Sequence, residues 1–563
     1  MKDGIRNAKG KQNTNKALQS KSKWGVYAAG AAAVIVLGIW HYQSVKAGAL
    51  ESRDFFLLSW YKVLTVCAAV TVLLFGYFYL VKRMIRTETF FLAGGLALGL
   101  SFLFVLQPLS APDEIRHYIS AYRLSNQMMG LPDTDEYGQV LIRKQDEFIV
   151  NQQMDGLELK EQEGEEPKEG NDQEEKERIV LGQQLTEYTY REVAKRSLKG
   201  TGEDELISSR QMAVQTTPLA YLAPGIGITT GRLLNMGGMG LLYLGRLFNL
   251  GLYLGVVWLA LRRLPFGKPV MCAVALLPMT LHLAASFSYD TMINAMMFLF
   301  SAVCLDLAYS GKQVKVRDIV LLAAVIGIAG PCKMVYAPVM GLCLLIPVRK
   351  FGGWKKWTIS AAAVLGTWLV AMILVNSQTI SVYTAGTENY IGWAEETGYT
   401  MNGLLHRPGL MLQMFYNSLI WQAEYYHLTM IGAYLGQVDP VLDVPYIVVM
   451  GLTAALVLLS LQRPEEETVY FTGRQKTWIW VLFIGCAGAT MFSMLLAWTP
   501  VTSLVIAGVQ GRYFLPLLPV ALMTLKNRWI ICTANRDREI LYMILCADAY
   551  AVLRLFSIVS MRI

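Results

Sequence analysis

Apolar runs of crossing length, separated by short loops rich in lysine and arginine, constrain this chain more than any other feature. About 20 mostly apolar residues suffice to cross the hydrocarbon layer of a bilayer as a helix, with every backbone group bonded within the segment. Cut by that length, the chain divides into about thirteen spans: 25–42, 61–81, 88–107, 241–261, 269–289, 291–309, 318–332, 334–348, 357–376, 441–461, 477–498, 513–525 and 539–558. With 54% hydrophobic and only 16% charged residues over 563 positions, it is too apolar for a soluble protein of its length. The expected fold class is an all-α integral membrane protein.

The positive-inside rule tests the parity of these spans. The tail 1–24 carries Lys2, Arg6, Lys9, Lys11, Lys16, Lys21 and Lys23. If it is cytoplasmic, every second connection should be basic. Lys82, Arg83 and Arg86 follow the second span, Arg262, Arg263 and Lys268 the fourth, and Lys312, Lys315 and Arg317 the sixth. Arg349, Lys350, Lys355 and Lys356 follow the eighth, Arg463, Arg474 and Lys476 the tenth, and Lys526, Arg528, Arg536 and Arg538 the twelfth. The net charge of +8 therefore reads as a topology signal and not as a nucleic-acid footprint. A multi-pass protein of the cytoplasmic membrane with a cytoplasmic N-terminus is expected. The stretch "KAGAL" offers a cleavage-like site at Ala47–Ala49, but 25–42 is longer than a typical signal-peptide core and reads as a retained span.

This parity divides the chain into two N-terminal spans (25–87), a third span (88–107), an external connection (108–240), a transmembrane core (241–376), a second external segment (377–440) and C-terminal spans (441–563). The first connection contains the acidic tract "LELKEQEGEEPKEGNDQEEKER", 157–178, which has nothing to bury and reads as a disordered insertion. The segment 377–440 mixes aromatic and polar residues and is expected to lie along the membrane interface.

Polar groups from four separate segments fall at one depth on the external side. "SAPDEIRH" places Asp113, Glu114 and His117 where the third span ends, and "SFSYDTMINAM" places Asp290 at the turn between spans five and six. "GIAGPCKMVYAP" places Lys333 between spans seven and eight, and "GVQGRYFLP" places Arg512 and Tyr513 at the start of span twelve. A lysine costs ~2.5–3.5 kcal/mol near the bilayer centre on insertion scales, so Lys333 has to line water or meet a partner. If Pro112 opens a helix, Asp113 and His117 are i,i+4 neighbours and Glu114 and His117 are i,i+3. That geometry suits a base oriented by a histidine, or ligands to a divalent cation (Mg or Mn) completed by further oxygens. S-x-x-D at Ser110–Asp113 has a plainer reading as a helix cap. Tyr118, Tyr122, Tyr289, Tyr336 and Tyr513 can stack on the ring of a ligand or belong to the aromatic belt.

Other chemistries find no support. The eight cysteines form no C-x-x-C pair, "GIGITTG" follows no strand, and the long external connection holds no H-E-x-x-H or G-x-S-x-G.

"APDEIRHYISAYRLSN", "TPLAYLAPGIGI", "YLGRLFNL", "LPMTLHLAASFSYD", "CKMVYAPVMGLCLLIP" and "GVQGRYFLPLLPV", in this order and spacing, resemble the bacterial membrane family called domain of unknown function 2142. The likeness runs from about residue 90 to about 530, and the first two spans and the acidic tract look like additions. That family is grouped with the C-type (GT-C) multi-spanning glycosyltransferases. The resemblance implies a GT-C-like bundle and transfer of a hexosyl or pentosyl group, outside the membrane, from a polyprenyl-phosphate-linked donor to a cell-envelope glycan or lipid acceptor. It also implies Asp113 as general base or metal-directing acid with Glu114 beside it. Lys333 and Arg512 are then the cations for the departing phosphate, with Asp290 orienting Lys333, binding acceptor hydroxyls or completing a metal site. The alternatives are a transporter or flippase of a glycolipid or anionic solute, and a non-catalytic component of a polysaccharide export complex.

Overall fold

Proline decides which of the expected spans become continuous helices. The computed structural model describes residues 2–51, 53, 55–150, 199–384, 389–464 and 471–560. Eight of its helices are long and apolar enough to cross a membrane: Ser22–Glu51, Phe55–Val81, Thr87–Val105, Gly238–Arg263, Asp290–Tyr309, Trp354–Ser377, Gly473–Ala497 and Asp537–Ser560. Each overlaps one expected span. The remaining five are shorter or broken, so thirteen continuous crossing helices are not found among the described residues.

Segment 269–289 splits into Lys268–Ala275 and Pro278–Ala284. Segment 334–348 forms a 3₁₀ helix, Met334–Leu345, around Pro338, and 513–525 joins a 3₁₀ stretch containing Pro516, Gly511–Leu517, to the short helix Leu518–Met523. A proline ring lacks an N–H and clashes with the preceding turn, so an interior proline breaks the α-helical ladder. Segments 318–332 and 441–461 give the shorter helices Val316–Ala329 and Tyr446–Ser460. The acidic tract 157–178 lies outside the described residues.

The centre of the bundle is Asp290–Tyr309, whose most apolar stretch is 89% buried, whereas that of Trp354–Ser377 is 11% buried. A fully buried helix interior needs protein neighbours on all sides, and an exposed apolar one faces lipid. Gly238–Arg263 packs against Asp290–Tyr309 and Thr87–Val105. Close approach there depends on Gly245, where an added Cβ would fall 2.3 Å from the Phe287 ring. Between 389 and 440 no described helix reaches crossing length; Pro408–Trp421 exposes Leu412, Leu419, Ile420 and Trp421.

The basic loops gather at one end. Arg263 pairs with Asp306 at 2.6 Å and bonds Asp318 at 2.7 Å, and Lys350 donates to the carbonyls of Leu307 and Ala308. Lys268 bonds Glu88, Lys476 bonds the Lys526 carbonyl, and Arg538 bonds the Tyr79 carbonyl. Asp290 opens the helix near whose far end Asp306 lies, about 24 Å away by helical rise.

Gly511 packs directly on the helix Ala423–Ile431. Its N–H donates to Thr429 Oγ1 at 2.8 Å, and a Cβ there would meet the Tyr426 carbonyl oxygen at 1.7 Å. Gly511→Ala is expected to cost about 1–3 kcal/mol by forcing this contact apart, read as a lower thermal unfolding midpoint in detergent. An unchanged midpoint would show that the contact is slack.

Candidate functional site

Two polar residues of "YLGRLFNL" build the frame of the site from one face of the helix Gly238–Arg263. Arg246 and Asn249 are i,i+3 neighbours and both are buried. Arg246 donates to the carbonyls of Leu103 (3.2 Å), Leu106 (2.9 Å) and Ala285 (2.6 Å), where two helices end, and its Nε lies 3.4 Å from Glu114 Oε1. The amide of Asn249 donates to the carbonyls of Ser286 (2.7 Å) and Ser288 (3.3 Å) and to Thr291 Oγ1 (3.1 Å), which fixes the turn before Asp290. Ser288 Oγ accepts the Asp290 N–H at 3.2 Å. The first span after that turn thus begins with a carboxylate held in place.

Asp290, Lys333 and Arg512 come together from three separate segments. Lys333 Nζ donates to Asp290 Oδ1 at 2.8 Å and Arg512 Nη1 to Asp290 Oδ2 at 3.0 Å. Gln510 accepts from Arg512 Nε at 2.6 Å. Lys333 Nζ also lies 4.0 Å from the centre of the Tyr513 ring and 5.0 Å from that of Tyr289, within cation–π range. Burial works against the Lys333 charge, but Asp290 and the two phenol rings outweigh it and lift its pKa above the ordinary lysine value. Two cations thus share one carboxylate, with Arg512 and Asp290 buried and Lys333 partly exposed.

The P-D-E-x-x-H motif divides its three members among different tasks. Glu114 turns inward: its carboxylate accepts the N–H groups of Ala111 (3.1 Å) and Phe287 (3.0 Å) and faces Arg246. His117 is buried, with Nδ1 2.7 Å from the Tyr221 hydroxyl and its ring edge-on to Tyr289. Burial is the main reason its pKa falls to about 3; Asp290 pulls the other way, and Arg512, Lys333 and Arg116 add to the fall. Asp113 is exposed, stands at the N-cap of Glu114–Met128 with φ 56°, and makes no side-chain capping bond. The capping reading of Ser110–Asp113 is therefore not realised; Glu114 takes the Ala111 N–H instead. The Asp113 charge reaches Tyr221 and Arg512.

The expected metal set does not fit this arrangement. Glu114 is spent on Arg246 and two amides, the Nδ1 of His117 is spent on Tyr221, and no three His, Cys, Asp or Glu side chains among the described residues share a point where an ion can sit.

Of the expected aromatics, Tyr289 and Tyr513 face Lys333, and Tyr336 donates to the Tyr513 carbonyl at 2.8 Å. Tyr118 and Tyr122 belong elsewhere: Tyr118 packs edge-on against Phe287, and Tyr122 bonds Asp146 at 2.8 Å. Arg246, Asn249 and Tyr221 were not among the expected site residues. The signal for Arg246 was present, an arginine in the middle of an apolar run, because a buried guanidinium at that depth must be paired.

A model for predicted membrane proteins, the domain of unknown function 2142, matches residues 96–521, well over half of the chain. The chain belongs to this family. The family region contains Asp113, Glu114, His117, Asn249, Asp290, Lys333 and Arg512, and it begins after the first two crossing helices. No curated protein and no solved structure matches the chain.

Removing Arg246 strands the Glu114 carboxylate and three carbonyls in the core. Arg246→Met is expected to destabilise by about 3–5 kcal/mol, and Glu114→Gln by less, because Arg246 keeps its three carbonyls and the amide oxygen still accepts one of the two N–H groups that the carboxylate takes on separate oxygens. Thermal unfolding in detergent ranks the two, and equal losses would deny Arg246 its role as the hub.

The His117 shift has a definite sign. The folded protein holds this imidazole neutral down to about pH 3, while the unfolded chain takes up a proton near 6.5. Its contribution to stability is fully present above pH 6.5 and is lost as pH falls from there toward 3. Between pH 7 and pH 5 the loss should be on the order of 1–2 kcal/mol, and His117→Gln should flatten that part of the stability profile; an unaltered slope in the variant would assign it to other groups.

Proposed function

We propose that this protein is a membrane glycosyltransferase of the C-type, taking a sugar from a polyprenyl-phosphate-linked donor to a glycan or lipid acceptor of the cell envelope. The observation that carries the reading is the cluster of two cations and one carboxylate, Lys333, Arg512 and Asp290, in which Arg512 and Asp290 are buried and Lys333 is partly exposed, with the exposed and uncapped Asp113 close enough for its charge to be felt at Arg512. An excess positive charge is relieved by an anion, and a lipid phosphate is the anion the reaction offers.

In this mechanism Asp113 accepts the proton of the acceptor hydroxyl as that oxygen bonds to the anomeric carbon of the donor sugar. The bond from the anomeric carbon to the phosphate oxygen breaks, and the electron pair leaves with the polyprenyl phosphate. Arg512 and Lys333 meet the charge that builds on that phosphate, and Asp290 holds both cations at the right place before the donor arrives. His117, kept neutral, holds the Tyr221 hydroxyl. The end of the bundle that gathers the basic loops is cytoplasmic by the positive-inside rule, which puts the site on the external face, where lipid-linked sugars are consumed. The polar cluster also sits at the first turn of Asp290–Tyr309 and not at its middle, where alternating-access transporters keep their binding sites.

Purified protein in liposomes supplied with radiolabelled polyprenyl-phosphate sugars should form a covalent product on an envelope-derived acceptor. Asp113→Asn should lower that transfer by about 10²-fold or more while the protein still inserts and accumulates. Full transfer by the variant would remove Asp113 from the mechanism, and translocation of the donor without product would favour the transporter.

A further inference from the structure

At the end of the bundle away from Asp290, a cavity of about 260 Å³ opens between the start of Ser22–Glu51, the loop after Phe55–Val81 and the start of Asp537–Ser560. Four cations line it, Lys23, Arg83, Arg536 and Arg538, against two carboxylates, Asp537 and Glu539. Asp537 is already engaged by Arg463, and Glu539 is buried in the wall. Arg536 is held by Ser22 Oγ at 2.8 Å, and Arg538 by the Tyr79 carbonyl at 2.7 Å and the face of the Tyr79 ring. Lys23, which feels the Glu539 charge, and Arg83 both line the cavity and make no ion pair among the described residues. The N-terminus of the 24-residue helix Asp537–Ser560 opens at the same place and adds its partial positive charge.

Apolar side chains adjoin these cations in the chain. Trp24 follows Lys23 and is 48% exposed, and Met84 follows Arg83 and is 72% exposed. A cation beside an exposed tryptophan is the pairing that sits at a lipid headgroup layer. We propose that this cavity binds the phosphate group of an anionic membrane lipid, with Lys23, Arg83, Arg536 and Arg538 as its ligands. The lipid would clamp the two N-terminal helices, which lie outside the family region, to the C-terminal helix of the bundle. This site is independent of the chemistry proposed at Asp113.

The test uses the full chain in nanodiscs of phosphatidylglycerol and phosphatidylcholine, released into native mass spectrometry. Retained phosphatidylglycerol should exceed phosphatidylcholine, and Lys23→Ala/Arg83→Ala should cut that preference by about tenfold or more. Lys355→Ala/Lys356→Ala, which removes two exposed cations elsewhere, should leave it unchanged. The unfolding midpoint of each variant in phosphatidylcholine alone checks that the fold persists. Inorganic phosphate titrated into phosphatidylcholine nanodiscs separates the sources: saturable phosphate binding lost in the double variant, without any lipid preference, overturns the lipid assignment. A phosphatidylglycerol preference that survives the double variant overturns the site.

Discussion

The ion pair between Arg246 and Glu114 is the interaction on which the rest of the site depends. A guanidinium with no exposed surface is affordable only when each donor finds an acceptor, and Arg246 finds three carbonyls at two helix ends besides the carboxylate. Those carbonyls are the orphans that any helix C-terminus leaves, so one side chain satisfies itself and them together. Glu114 in turn accepts the N–H groups of Ala111 and Phe287, so the P-D-E turn is bolted to the segment that leads into Asp290. Asn249, one turn further along the same helix, fixes the other side of that turn.

This frame explains why Asp113 stands as it does. With Glu114 drawn inward, the residue before it is left in the left-handed region, at φ 56°, where aspartate is among the better tolerated non-glycine residues. Its side chain makes no cap and stays in solvent. The neighbouring acids thereby part company: one is a buried structural anion, the other an exposed carboxylate beside a cationic cluster. That division is what an acid in a reactive role needs, since a carboxylate already committed to a salt bridge is a poor proton acceptor.

Much of the site was legible before any coordinates. Asp290, Lys333, Arg512 and Tyr513 stand out because polar groups at the ends of apolar runs must be paired or hydrated, and three of these end segments do meet. Helical spacing places Glu114 and His117 near each other without saying which neighbours compete for them. Arg246 and Tyr221 supply that competition, and they come from segments more than a hundred residues away. The count of spans suffered in the same way: hydropathy measures apolar length, whereas Pro278, Pro338 and Pro516 decide whether that length can be one α-helix.

The amino-acid sequence by itself determined the class, the places of the apolar segments and the alternation of basic loops, because transfer to a bilayer and loop charge are properties of contiguous residues. It also set the chemical types available to the site. Only the tertiary structure decided the pairing: that Asp290 bridges Lys333 and Arg512, that Glu114 belongs to Arg246, and that Asp113 stays exposed with no capping bond. A buried charge takes whichever partner the packing delivers, and delivery depends on helices that meet in space and not along the chain.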